Sequence, residues 1–118
     1  MLRHEFDAEC TNIKQSYDPS EVSDRDFEVI QYVYTWYPTI AGGQVGHRQI
    51  AYLFITFGWG MIDDIYARAK EAEIIDTKLR QNRSDMKLLL QQQELLECGK
   101  CWRSRVDTFE YPTLENTQ

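Results

Sequence analysis

Apolar residues recur along most of the chain with the period of an α-helix. Leu2, Phe6, Cys10, Ile13 and Tyr17 follow one another at spacings of four, four, three and four, which places them in a single stripe on one helix. Cys10 belongs to that stripe, so its expected role is core packing. Asp18-Pro19-Ser20 is the expected end of this helix, because proline cannot continue it and disfavours helical geometry in the residue before it. Ser23 then reads as an N-cap, with Asp24 and Asp26 in the first turn where the positive end of the helix dipole favours acids. Phe27, Ile30, Val33, Tyr34 and Tyr37 continue the helical spacing, widened by Val29 and Trp36, and Tyr37-Pro38 is the expected end. The residues of VIQYVYTWY would also suit a strand, but they do not keep a period of two.

From His47 no proline appears until Pro112, and nothing forces a break before Gly99. Ile65, Ala72, Ile75, Leu79, Met86, Leu89 and Leu96 all fall on the a and d positions of one heptad register, with Arg68, Asn82 and Gln93 as its polar members. Asn82-Arg83-Ser84-Asp85 could form a turn with Ser84 capping a separate last helix, but the preserved heptad phase favours one continuous helix. Residues 47–97 would then form a rod on the order of 75 Å long, against about 30–40 Å for a compact domain of this size. Part of such a rod projects, and its apolar stripe needs a cover: either the first helix or a second copy of the chain. The expected fold is therefore all-α and a single domain over residues 1–118. It comprises a small aromatic-rich helical core (1–62), an extended helix with coiled-coil character (63–97) and a tail (98–118) whose Trp102, Val106, Phe109 and Tyr111 supply bulk for docking. The expected partner interface is Ile75, Leu79, Asn82, Met86, Leu89 and Leu96.

The stretch ITFGWGMIDD, residues 55–64, sets Trp59 between two glycines. Each glycine inside a helix costs roughly 1 kcal/mol relative to alanine, so a pair implies close approach of another backbone or a kink. Gly58, Trp59 and Gly60 are thus the expected helix crossing, with Trp59 over the helix that carries Trp36 and Tyr37. Asp63 and Asp64 diverge by about 100° on a helix and form no paired-carboxylate site. Asp64 with Arg68, and Asp76 with Arg80, are spaced for ordinary surface ion pairs.

Charge changes the picture of partners. The net charge is −6, and residues 1–30 alone hold eight acids against three bases. Residues 31–62 carry only Arg48, while residues 63–97 hold eight acids and six bases. No basic patch offers itself to phosphate, which argues against nucleic acid as a partner. The acidic segment raises a competing function, an inhibitor or nucleic-acid mimic that occupies a basic groove. A helix-turn-helix, with Phe57-Gly58 as the turn and Trp59 opening the recognition helix, is a second alternative, but it would present Asp63 and Asp64 to phosphate.

Chemistry is sparse. The glycine-rich AGGQVG, residues 41–46, lacks the preceding strand and the terminal Lys-Ser/Thr of a phosphate loop and reads as an interhelical connection. CGKC, Cys98 to Cys101, follows a long helix instead of opening one, so the dipole disfavours a thiolate there. As half of a zinc site it lacks co-ligands within one chain, since His4 and Cys10 lie on different helical faces; only a dimer could supply Cys98 and Cys101 twice. Gly99 is read as the left-handed cap that ends the helix. Two histidines leave little general-base capacity, so no enzyme, no cofactor and no metal is expected. Three cysteines are an odd set for a disulfide scaffold, the N-terminus lacks a leader-like segment, and the uncharged residues 49–62 fall short of the roughly 20 that span a bilayer. The expectation is a cytoplasmic interaction module without membrane contact, pairing with itself, as a dimer, or with another helical protein.

Overall fold

The computed structural model describes residues 1–108, which form four α-helices and one short 3-10 turn, with no strand among them. The helices are α1 (Arg3–Ile13), α2 (Asp24–Ala41), α3 (His47–Gln81) and α4 (Met86–Thr108), and the turn is Pro19–Glu21. The all-α class, the aromatic core and a long helix are as expected from the residue pattern. Several boundaries are not.

α1 stops at Ile13, one turn earlier than its stripe suggests. Phe6 and Cys10 are buried, but Tyr17 reaches the core from the connection that follows, where its hydroxyl donates to Asp7 Oδ1 at 3.1 Å and its ring meets Phe54 edge-on. Ser23 caps α2 as predicted, its Oγ accepting from the Asp26 N–H at 3.1 Å. α2 does not end at Pro38. It runs one turn further to Ala41, because Ile40 and Ala41 are buried against α4 and hold the last turn despite the missing proline N–H. Gly42, with φ of 79°, closes the helix in the left-handed conformation. Residues 42–46 are the interhelical connection that the glycines imply, and Gln49 accepts from the Gly46 N–H to start α3.

The continuous rod over residues 47–97 is not formed. α3 ends at Gln81, Asn82 takes non-helical angles, and α4 starts at Met86 after a tight connection. The Asp85 carboxylate, not Ser84, caps the new helix by accepting from the N–H groups of Lys87 and Leu88 at 3.0 and 3.3 Å. α4 folds back along the second half of α3, so the long axis of the molecule is 54 Å, not the 75 Å of a rod. The buried part of the α3 stripe is covered from within the chain, by α2 and by this returning helix. α4 also absorbs the first part of the expected tail: Trp102 and Val106 are buried on its inner face. Phe109 and Tyr111 lie outside the described residues.

α1 packs on the first half of α3, where Phe6 stands 5.8 Å from Phe54 and Arg48 pairs with Glu9 at 3.1 Å. α2 bridges both arms of the hairpin. Tyr32 touches α3, its hydroxyl donating to the Ala69 carbonyl at 3.3 Å and to Glu73, while Ile40 and Ala41 lie on α4 at Gly99.

Candidate interaction surface

The glycines of ITFGWGMIDD make a kink and not a crossing. Gly58 is a kink: its φ of 74° and ψ of −165° interrupt α3 in a region open essentially only to glycine. Neither Gly58 nor Gly60 is at a helix crossing, since a Cβ built on either meets nothing within 4 Å. Trp59 packs edge-on against Phe54 at 5.0 Å, closing the angle of the kink, and Arg105 of α4 lies 4.8 Å from the Phe57 ring on the same bend. The crossing is made by Gly99. A Cβ there would lie 1.9 Å from the Ile40 carbonyl oxygen and 2.8 Å from Ala41 Cα. Gly99 therefore does not end a helix; it sits inside α4 and lets that helix touch the backbone of α2.

This contact sets which face of α4 looks inward. Leu88, Gln92, Leu95, Gly99, Trp102 and Val106 follow heptad spacing and form the inner face, with Leu95, Trp102 and Val106 buried. That register is one residue away from the one continued from α3, which had Leu89, Gln93 and Leu96 inward. At 100° per residue the change turns Met86 and Leu90 out to water. Met86 is 69% exposed, Leu90 56%, Ile74 55% and Leu89 39%. All four stand on the outer half of the hairpin.

The residues expected at the interface are thus divided. Ile75 is buried between the arms and Leu79 is half-buried. Leu96 is half-buried, its methyl group 4.0 Å from where a Gly42 Cβ would stand at the end of α2, and Asn82 lies in the connection. Of its apolar members only Met86 and Leu89 remain exposed, Asn82 being exposed as well, and the structure adds Ile74 and Leu90. A cleft of about 430 Å³ runs between the arms, lined by Arg68, Ile74 and Lys78 on one side and Gln91, Glu94 and Cys98 on the other. A shallower groove along Leu90, Gln93, Glu94, Glu97 and Cys98 continues it over the outer face of α4.

Cys98 and Cys101 are free and exposed, one turn apart on α4, and no group of three or more metal-ligating side chains occurs among the described residues. Cys10 is free and buried; burial first, and then the Asp7 carboxylate, push its thiol up to about 12. It is held as the neutral thiol, which fits packing and not nucleophilic work. Burial and the Glu73 carboxylate likewise raise Tyr32 above its ordinary range.

Many of the N-terminal acids are engaged within the fold. Arg3 pairs with Asp7 at 3.0 Å and with Asp24 at 3.5 Å, and donates to the carbonyls of Pro19, Val22 and Ser23, fastening the connection between α1 and α2. Glu9 takes Arg48 and stands 3.7 Å from His47, whose other ring nitrogen is 3.9 Å from Glu5. Asp18 accepts from the hydroxyl and N–H of Ser20, which hold its carboxyl below the usual range. Asp63 and Asp64 are exposed. No helix of the described residues is long and apolar enough to cross a membrane. No family model, curated protein or solved structure matches the chain.

Proposed function

We propose that the protein is a non-enzymatic interaction module that self-associates through the outer half of the α3–α4 hairpin. The observation that carries this reading is the exposure of Ile74, Met86, Leu89 and Leu90 together on one projecting element, beside a cleft between its arms. Single exposed leucines are unremarkable on a soluble domain, but four large apolar side chains concentrated on one hairpin are the pattern of a docking face. Two such hairpins can pair through these faces into a four-helix bundle, which takes the apolar side chains out of water. Full burial of a leucine or methionine contributes about 1.5–3 kcal/mol, and twofold symmetry counts each one twice.

Sedimentation equilibrium tests the reading. The parent chain is expected to dimerise, and Met86→Glu with Leu90→Glu is expected to weaken the dimer more than tenfold while leaving the helical circular dichroism spectrum unchanged. A parent that remains monomeric at high micromolar concentration sinks the proposal.

A further inference from the structure

Charge along the hairpin is segregated in a way that the apolar surface alone does not require. Lys78, Arg80, Arg83 and Lys87 against Asp85 leave the tip, residues 78–90, with a net charge of +3. Glu71, Glu73, Asp76, Glu94 and Glu97 against Arg68 and Lys70 leave the shoulder, residues 68–77 and 91–99, at −3. Some of these charges are taken up locally: Arg80 pairs with Asp76 at 3.1 Å and Glu97 with Lys100 at 3.0 Å. Lys78, Arg83 and Lys87 on the tip, and Glu94 on the shoulder, are exposed and enter no ion pair among the described residues. Glu94 also lines both the cleft and the outer groove, on the same surface as Leu90.

We infer that the occupant of this surface is a second copy of the chain in antiparallel orientation, with the basic tip of each hairpin on the acidic shoulder of the other. The inference rests on the self-association proposed above and adds the orientation and the residues that select it. A parallel pairing would set tip on tip and gather the unpaired Lys78, Arg83 and Lys87 of both copies, whereas the antiparallel pairing brings the basic tip of each copy to the unpaired Glu94 of the other. The heptad spacing of the outer face is compatible with this orientation. Met86, Leu90, Gln93 and Glu97 recur at four, three and four on the outer face of α4, so a twofold axis near residues 91–92 sets Leu90 beside Gln93 of the second copy. Lys87 then comes within one turn of Glu94 and Glu97 of that copy.

The orientation makes a geometric statement about Cys98. In the antiparallel dimer each Cys98 lies opposite residue 85 of the other copy, so the two Cys98 residues are separated by roughly 20 Å along the axis. A disulfide needs Cα atoms within about 7 Å, so none forms between them. In a parallel dimer the two face each other.

Charge reversal and cross-linking of the full chain test this together. Lys78→Glu with Lys87→Glu makes both tip and shoulder acidic, and Glu94→Lys with Glu97→Lys makes both basic. All four side chains are exposed, so the folded monomer is expected to persist. Each double variant alone is expected to dimerise at least tenfold more weakly than the parent, an equimolar mixture of the two to form a heterodimer, and the oxidised parent to give no Cys98–Cys98 disulfide. Double variants that dimerise as tightly as the parent, or a Cys98-linked dimer, overturn the antiparallel arrangement while self-association through the hairpin stands. A monomeric parent overturns both.

Discussion

Replacing Gly99 by alanine adds a single carbon, and the structure specifies where it goes. The new Cβ would lie 1.9 Å from the Ile40 carbonyl oxygen and 2.8 Å from both Ala41 Cα and the Ile40 carbonyl carbon. All three are backbone atoms, so no side chain can turn aside. Reaching ordinary contact at 3.4 Å requires a shift of about 1.5 Å between α4 and the last turn of α2, since the gap is set by the 1.9 Å approach. The same shift loosens Leu95, Trp102 and Val106, which are buried on that face. Overpacking of this kind costs about 1–3 kcal/mol, sometimes more, while alanine gains about 1 kcal/mol in helix propensity. The clash wins because it strains two helices and the gain concerns one residue. A net loss of about 2 kcal/mol corresponds to a fall in Tm of about 8 °C for a chain of this length. Thermal melts followed at 222 nm read it directly. Gly60→Ala is the control: its Cβ enters open space, and it is expected to stabilise by up to about 1 kcal/mol. Gly58→Ala also meets no neighbour but inherits a φ of 74°, so it is expected to lose about 1–3 kcal/mol through backbone strain alone. A Gly99→Ala chain that melts with or above the parent refutes the contact.

Three further outcomes follow from the fold. Cys10 keeps its proton in the folded state to about pH 12 against an ordinary value of 9.0, so its contribution is complete below pH 9 and declines as pH rises. Between pH 9 and 10 the urea-unfolding free energy is expected to fall by about 1 kcal/mol from this group, the slope approaching about 1.4 kcal/mol per pH unit only above pH 10, and Cys10→Ala should flatten that dependence. Arg3→Lys is expected to cost about 2 kcal/mol in urea denaturation, because one ammonium cannot serve Asp7 and three carbonyls as the guanidinium does; a parent-like midpoint would show that the connection holds without it. Lys78→Cys with Gln91→Cys, in a chain with Cys98→Ser and Cys101→Ser, should be joined by a bifunctional maleimide too short for the roughly 20 Å that a straight helix would put between them, since both positions line one cleft. Failure of that cross-link would restore the continuous rod.

The residue pattern made the helices legible and left their ends less so. Ser23, Asp24 and Asp26 announce α2 by local chemistry alone, and the structure realises that cap. Pro38 misleads, because the forces that keep the helix going past it, burial of Ile40 and Ala41 on α4, come from a residue sixty positions away. Tyr17 fits the stripe of α1 by spacing and reaches the same core without being helical, since the aromatic cluster needs the ring and not the helix. The acid-rich N-terminus looks like a charged surface until Arg3, Arg48 and His47 are folded against it. Those pairings join segments far apart in the chain, and spacing rules do not reach them.

The heptad register of α3 does not carry over into α4, for a more particular reason. Leu88-Leu89-Leu90 and Leu95-Leu96 supply leucine to neighbouring registers at once, so a phase carried over from α3 finds apolar residues at Met86, Leu89 and Leu96 whether or not the helix is continuous. Side chains that are all apolar cannot decide between those registers. A missing side chain can. Gly99 has to face the backbone of Ile40 and Ala41, because any other residue of α4 there would carry a Cβ into it. Once residue 99 points inward, Leu95, Trp102 and Val106 follow, and Leu90, nine residues away, is turned by nine steps of 100° to the opposite side of the helix. The same glycine that brings α4 against α2 thereby exposes Leu90 and, with it, Met86, Gln93 and Glu97. Stability of the core and exposure of this outer face are then one choice of register, made at a single position.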